Sequence, residues 1–286
     1  MSRLDQFSSV FKSAAKTVFH REEVSYGRGL IVTDLEDYQA RLFADRVQSF
    51  LTGIGSADMQ WAQSTAGEVE TVGALLEHVE THQPNLICTY RNLYSSAWRW
   101  PYTLGDHLEV LTQVTDVPVL VLPRLDDEAA WESVAQNTDV VMAMTDHLTG
   151  DDRLVNAAAA FTAPGGALHL CHIEDEATFE RYMDAIAKIP SIDTDTARAD
   201  LRAQLLKEPH DYIRSCRAVL EANDDAALKV VEHVLIEHHL TALTRLIQEH
   251  DVDLLVMNTK DDDQLAMHGL AYPLAVQLRS TPMLML

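Results

Sequence analysis

Apolar positions along this chain alternate between two spacings. Short unbroken apolar runs bounded by turn residues read as buried strands, while apolar residues three and four apart read as helices. In the first half the runs Gly29–Thr33, Leu86–Thr89 and Val117–Leu122, with a shorter one at Met59–Gln63, predict strands. Helices are expected from about Asp37 to Leu51, with Leu42, Val47 and Phe50 among the apolar positions, from Val69 to His82 and from Leu104 to Val114. In the second half the strands are expected at Val140–Thr145, Ala167–Ile173, Lys229–Val234 and within Val252–Asn258, with helices over Asp151–Phe161 and up to Glu249. Pro164-Gly165-Gly166 marks a turn between the first of these helices and the next strand. Residues 174–226 are charged and helical in pattern, without a strand signal. Alternating strands and helices predict an α/β fold with a parallel sheet and crossover helices.

One segment plan occurs twice. Pro84-Asn-Leu-Ile-Cys-Thr-Tyr90 is followed by Gly105, twelve residues, and Pro118-Val-Leu-Val-Leu122. Val252-Asp-Leu-Leu-Val-Met-Asn258 is followed by Gly269, twelve residues, and Pro282-Met-Leu-Met-Leu286. An earlier pair accompanies them, Leu30-Ile-Val-Thr-Asp34 and Val140-Val-Met-Ala-Met-Thr-Asp146. Repeated order and spacing predict two tandem, doubly wound parallel-sheet units. The expected division is an amphipathic helical segment over 1–28, a truncated first domain over 29–123, a linker over 124–138 and a second domain over 139–286. The second carries a helical insertion at about 174–226. The terminal apolar strands of the two units are expected to meet and form an internal pseudo-dimer, and a homodimer is a further option.

The bulk properties narrow the classes of function. At 47% hydrophobic residues the chain can build real cores, which argues against wholesale disorder. No apolar run approaches the roughly 20 residues that span a bilayer, and no secretory signal is read, so a cytoplasmic location is expected. Three separated cysteines without a CxxC pair read as reduced, buried thiols. The 44 acidic residues against 22 basic ones give a formal charge of −22, a field that repels nucleic acid and anionic membranes. The segment 3–20 is basic and amphipathic in pattern (Leu4, Phe7, Phe11, Ala14, Val18). Docking on the protein's own acidic body is favoured over a membrane surface or a partner.

These residues resemble the universal stress protein family, and their order resembles its tandem members. The likeness rests on Val32-Thr33-Asp34 and Met144-Thr145-Asp146 at strand ends, on Leu168-His-Leu-Cys-His-Ile173, on Asp253-Leu-Leu-Val-Met-Asn258 and on the closing Gly269–Leu286. It covers most of 139–286 and, more weakly, 29–123. The resemblance implies an adenine nucleotide alpha hydrolase-like fold and, in ATP-binding members, a Gly-x2-Gly-x9-Gly-Ser/Thr loop. Glycines there let backbone amides approach phosphate oxygens, and the hydroxyl donates a further hydrogen bond.

Both loops depart from that pattern. In the second unit Asn258 stands at the first glycine and Asp261, within Lys260-Asp-Asp-Asp263, at the second. Gly269 is kept, but Leu270 replaces the hydroxyl residue. In the first unit Tyr90 and Leu93 stand at the first two glycines, and Gly105 is kept but followed by Asp106. Tyr90, Tyr94, Trp98, Trp100 and Tyr102 fill this loop with bulk, interleaved with Arg91 and Arg99. Packing is favoured over base stacking there. Asp34, Asp146, Asn258, Gly269 and Gly105 are therefore expected to be remnants of a nucleotide site, with no cofactor and with ATP disfavoured. Asp34 and Asp146 fit two roles equally, facing a ligand at the strand ends or capping the next helix. His233, Glu237, His238 and His239 are expected to form a solvated helix start rather than a metal site, and His169 and His172 to be structural. No catalytic signature is present. The expected function is a non-catalytic stress-response protein acting through a partner or small molecule. The alternative is a nucleotide-binding switch or slow ATPase using a remodelled cleft near Asp34 or Asp146.

Overall fold

The computed structural model describes residues 17–96, 102–124, 136–145, 148–222, 227–259 and 271–286. The strands are β1 (Arg28–Ile31), β2 (Gln60–Gln63), β3 (Leu86–Tyr90), β4 (Val119–Leu122), β5 (Val140–Thr145), β6 (Ala167–Asp175), β7 (Lys229–Glu237), β8 (Leu254–Met257) and β9 (Met283–Met285). The helices are α1 (Asp37–Phe50), α2 (Val72–His82), α3 (Asp106–Val114), α4 (Asp152–Phe161), α5 (Glu176–Ile186), α6 (Thr194–Leu220), α7 (His239–Glu249) and α8 (Ala271–Gln277).

All nine strands join one sheet in the order β2-β1-β3-β4-β9-β8-β5-β6-β7. Every pairing is parallel except the central one, where β4 and β9 run antiparallel with Val119 opposite Met285 and Val121 opposite Met283. Read outward from that pair, the first half runs β4-β3-β1-β2 and the second β9-β8-β5-β6-β7. The two halves thus share one strand order outward from the centre, and β7 has no counterpart among the described strands of the first half. β3, β4, β8 and β9 are buried along their whole length. Helices on both faces keep water off them, which is why they read as unbroken apolar runs.

One pair of side chains marks the repeat at atomic level. Asn85, just before β3, accepts the Arg28 N–H through Oδ1 at 2.9 Å and returns its own N–H to the Arg28 carbonyl. Asp253, just before β8, does the same for Val140, accepting at 2.8 Å and donating at 2.9 Å. Each ties the start of one central strand to its neighbour.

The helices follow their amphipathic patterns. α1 buries Ala40, Phe43, Ala44, Val47 and Phe50, one stripe at helical spacing; Leu42 lies off that stripe and is exposed. Thr71, Asp151, Asp175 and Asp193 cap α2, α4, α5 and α6 through their side-chain oxygens. α6 carries Pro209 in its interior, which removes a donor and leaves the Leu205 carbonyl without its helical partner.

Two expectations need correction. Residues 17–27 contain no helix, so the helical reading of 1–28 fails for its described part; residues 1–16 lie outside the described residues. The segment runs in irregular backbone over the second half. Phe19 is buried against Tyr212 with ring centroids 6.4 Å apart, and Tyr26 meets Phe161 edge-on at 5.1 Å. Its backbone bonds go to side chains: Phe19 N–H to Ser215 Oγ, His20 N–H to Asp152 and Glu22 N–H to Asn156. These partners satisfy the backbone polar groups that a helix would otherwise satisfy internally. The second correction concerns His233 and Glu237, which belong to strand β7 and not to a helix start. β6 and β7 pair over nine residues each, carrying the strand past Val234 to Glu237. Of the expected linker, 125–135 lies outside the described residues.

Candidate ligand clefts

Open parallel sheets gather ligands at the carboxyl ends of their strands. In the first half that position is built by the end of β1, the loop after β3 and the start of α3. Asp34 sits there, largely out of solvent. Its Oδ1 accepts a short hydrogen bond from Tyr90 Oη, and its Oδ2 accepts the Tyr94 N–H at 2.7 Å. Arg124 stands 4.0 Å from the same oxygen and 5.3 Å from the centre of the Tyr90 ring. Tyr90 is 1% exposed, packs edge-on against Phe43, and also meets Thr33 Oγ1 at 2.9 Å. Burial and the Asp34 carboxylate push its phenol well above the ordinary tyrosine range. Leu93 is buried beside it, and Tyr94 donates to the Ala66 carbonyl. Tyr90 and Leu93 are thus packed into the body of the first half.

Gly105 has a packing role. Its φ of +91° and the approach of Asn92 Cα, 2.7 Å from where a Cβ would lie, both demand glycine. Its N–H donates to Thr103 Oγ1. Beside it Glu109 Oε1 accepts from Thr103 Oγ1 at 2.8 Å, from Leu104 N–H at 3.3 Å and from Tyr272 Oη at 2.9 Å. A carboxylate of the chain's own thus occupies the amino end of α3, where an anion would otherwise be drawn. Arg91 is buried and donates to the Val276 and Leu278 carbonyls at 3.2 and 2.7 Å, so it joins the two halves instead of facing a ligand. Trp98, Arg99 and Trp100 lie outside the described residues.

In the second half Asn258 Nδ2 donates to Asp151 Oδ2 at 2.6 Å, and Asp151 caps α4 through Oδ1. Burial raises the Asp151 carboxyl above its ordinary value. Asp152 accepts from Tyr212 Oη at 2.5 Å and from the His20 N–H at 3.2 Å. The amino end of α4 is therefore also occupied from within. Asp146, Gly269 and Asp261–Asp263 lie outside the described residues.

Between the ends of β5 and β6 and helix α6 lies a cavity of about 590 Å³. Thr17, Thr149, His172, Glu174, Gln204 and Glu208 supply its polar wall, with Leu205 and Pro209 completing it. His172 Nε2 and Glu174 Oε1 are 3.0 Å apart. The Thr149 hydroxyl is buried and has no hydrogen-bond partner among the described residues. His172, expected to be structural, thus lines a cavity. Nothing in sequence signalled this, because α6 is the element that roofs it.

The other expected structural histidine, His169, lies on β6 beside His233 and His250. His238, His239 and Glu237 stand apart from that cluster: His239 Nε2–H donates to the Ile173 carbonyl at 2.7 Å, and Glu237 pairs with Arg245. All three cysteines are free and buried, and burial raises their thiols above the ordinary range. Among the described residues no helix is long and apolar enough to cross a membrane.

No family model and no curated protein sequence matches this chain. Solved structures do. A universal stress protein candidate from Pseudomonas aeruginosa UCBPP-PA14 aligns with a TM-score of 0.52 at 13% identity, over 91% of this chain and 93% of its own. A protein of unknown function from Pseudomonas aeruginosa PAO1 aligns with a TM-score of 0.51 at 12% identity, over 91% and 92%. At such identity the likeness is one of fold, and the fold, a mostly parallel α/β sheet with flanking helices, is that of solved universal stress protein structures.

Proposed function

We propose that the chain is a tandem universal stress protein of the cytoplasm that acts by binding a partner or small molecule, without catalysis and without holding ATP in the family manner. One observation carries the reading. The groups that would receive a nucleotide in the first half are already engaged within the chain, Asp34 by Tyr90 and Tyr94 and the amino end of α3 by Glu109. Displacing them would leave buried polar groups unpaired, at about 1–3 kcal/mol each. Asn258 and Asp151 support the same reading in the second half. Titration calorimetry of the full chain with ATP and Mg²⁺ is expected to show no binding up to millimolar nucleotide. Micromolar binding would overturn the reading.

The 590 Å³ cavity favours a second reading, a switch governed by a small ligand held between the end of β6 and α6. Its size suits a small molecule. Glu174 and Glu208 on its wall oppose a phosphate and suit a polar or cationic group. Mass spectrometry of what the native protein carries through purification separates the two: a co-purified polar or cationic metabolite supports the switch, and no co-purified small molecule supports partner binding under the first reading.

A further inference from the structure

Three histidines distant in sequence converge at the end of the second half opposite the ligand clefts. His169 lies near the start of β6, and the register sets it opposite Val231 and Cys171 opposite His233, so both histidines project from one face. His250 ends α7 and precedes β8, so that helix delivers it to the amino end of the sheet. His169 Nδ1 and His233 Nε2 are 2.9 Å apart. One ring nitrogen of each of the three residues lies within 4.8 Å of the other two. The ring centroids are separated by 4.7 to 5.1 Å. His169 is 4% exposed and the other two are half-buried, so the cluster is walled on one side and open on the other.

We propose that His169, His233 and His250 bind a divalent transition-metal ion of the zinc class, with a fourth position left for water or an outside ligand. Three imidazoles without a thiolate suit zinc, cobalt, nickel or copper, and the hard oxygen-seeking cations are not favoured. Metal–nitrogen distances of about 2.0–2.1 Å in tetrahedral geometry put donor nitrogens roughly 3.4 Å apart. The 2.9 Å pair must open slightly and His250 must close in, both by side-chain rotation. In the empty site one N–H lies between His169 and His233. On binding, that ring shifts its proton to its other nitrogen and offers the vacated lone pair, so each imidazole stays neutral. Burial, and then the neighbouring rings, already push His169 down to about 4 and His233 below its ordinary value, which keeps both rings neutral near pH 7. Arg245 near His233 and Lys229 near His169 disfavour added positive charge there, and Glu249 and Glu232 near His233 oppose them. A bound ion would clamp the end of α7 to the β6–β7 edge.

The test uses the full chain, freed of metal by a chelator, with Zn²⁺ and then Co²⁺ as probes. One Zn²⁺ per chain at micromolar affinity or tighter is expected, together with the visible absorption of tetrahedral Co²⁺ and a raised thermal midpoint. H233Q and H250Q, at half-buried positions, should each weaken binding by at least about tenfold while keeping the circular dichroism of the parent. The H78Q/H82Q pair on α2, whose rings also lie close at 4.3 Å, should leave it unchanged. Absence of binding overturns the proposal. So does binding that survives both H233Q and H250Q, or that is lost with H78Q/H82Q.

Discussion

Tyr90 is buried at the end of β3, and its phenol donates to the Asp34 carboxylate. Tyr90→Phe removes the donor to Asp34 and the partner of Thr33 while keeping the ring packed on Phe43. The lost bonds leave the buried Thr33 hydroxyl, the Asp34 N–H and one Asp34 oxygen each short of a partner, so the variant should be less stable by about 1–3 kcal/mol, read from the urea midpoint. Stability equal to the parent would mean that the phenol only fills space. Asp253 offers a second test, through pH. Burial, opposed by the Val140 N–H bond, raises its pKa from the ordinary carboxylate value of 3.8 to about 6. The folded state therefore binds more protons than the unfolded state between those values. The stability this group contributes is full below about 3.8 and is lost as pH rises through about 6. Asp253→Asn keeps the acceptor oxygen for Val140 and loses the charge, as Asn85 already does at the matching place in the first half. The variant should therefore gain on the parent above pH 6, by at most about 1 kcal/mol after solvent screening. Unchanged relative stability between pH 4 and pH 8 would refute this.

Elements differ in how plainly the sequence displays them. β3, β4, β5, β8 and β9 are legible because burial on both faces leaves no polar alternation, and α1 and α4 because their buried stripes keep helical spacing. The 17–27 segment misleads: Phe19 and Tyr26 are apolar because pockets on α4 and α6 receive them, not because they share a helix face. The histidine cluster is hidden for a related reason. His169, His233 and His250 come from two strands and a helix end, and only the β6–β7 register brings them together. Reading His233 with its sequence neighbours assigned it the wrong company. The cavity is equally invisible, since α6 roofs it from beyond the repeat. The bulk of Tyr90 and Leu93 is plain in the sequence, but the hydrogen bonds that Tyr90 makes to Asp34 and Thr33 are not. If the docked segment works as a strap, Phe19→Ala should destabilise the protein by about 3 kcal/mol, the lower range for a buried phenylalanine. A shift of the melting midpoint by less than 1 °C would reduce the segment to a loosely laid tail.

At the scale of the molecule the two halves share more than a chain. β4 and β9 pair backbone to backbone, Arg91 of the first half holds the Val276 and Leu278 carbonyls at the end of α8, Tyr272 reaches Glu109, and the 17–27 segment crosses to the second half. One buried apolar cluster runs from Phe19 to Leu286 through both halves. If the sequence repeat marked two independent domains, each would melt as its own unit. The shared strand pair argues otherwise. Unfolding either half would strip one side of β4 or β9 of its hydrogen bonds and expose an apolar edge, a costly state that also invites association. The full chain should therefore unfold in one calorimetric transition, with fluorescence and far-ultraviolet circular dichroism giving the same midpoint. A first half expressed alone should aggregate, or pair with another copy through β4. Two resolved transitions, or a soluble monomeric first half, would show that the repeat still consists of two separable domains and that the central strand pair merely docks them.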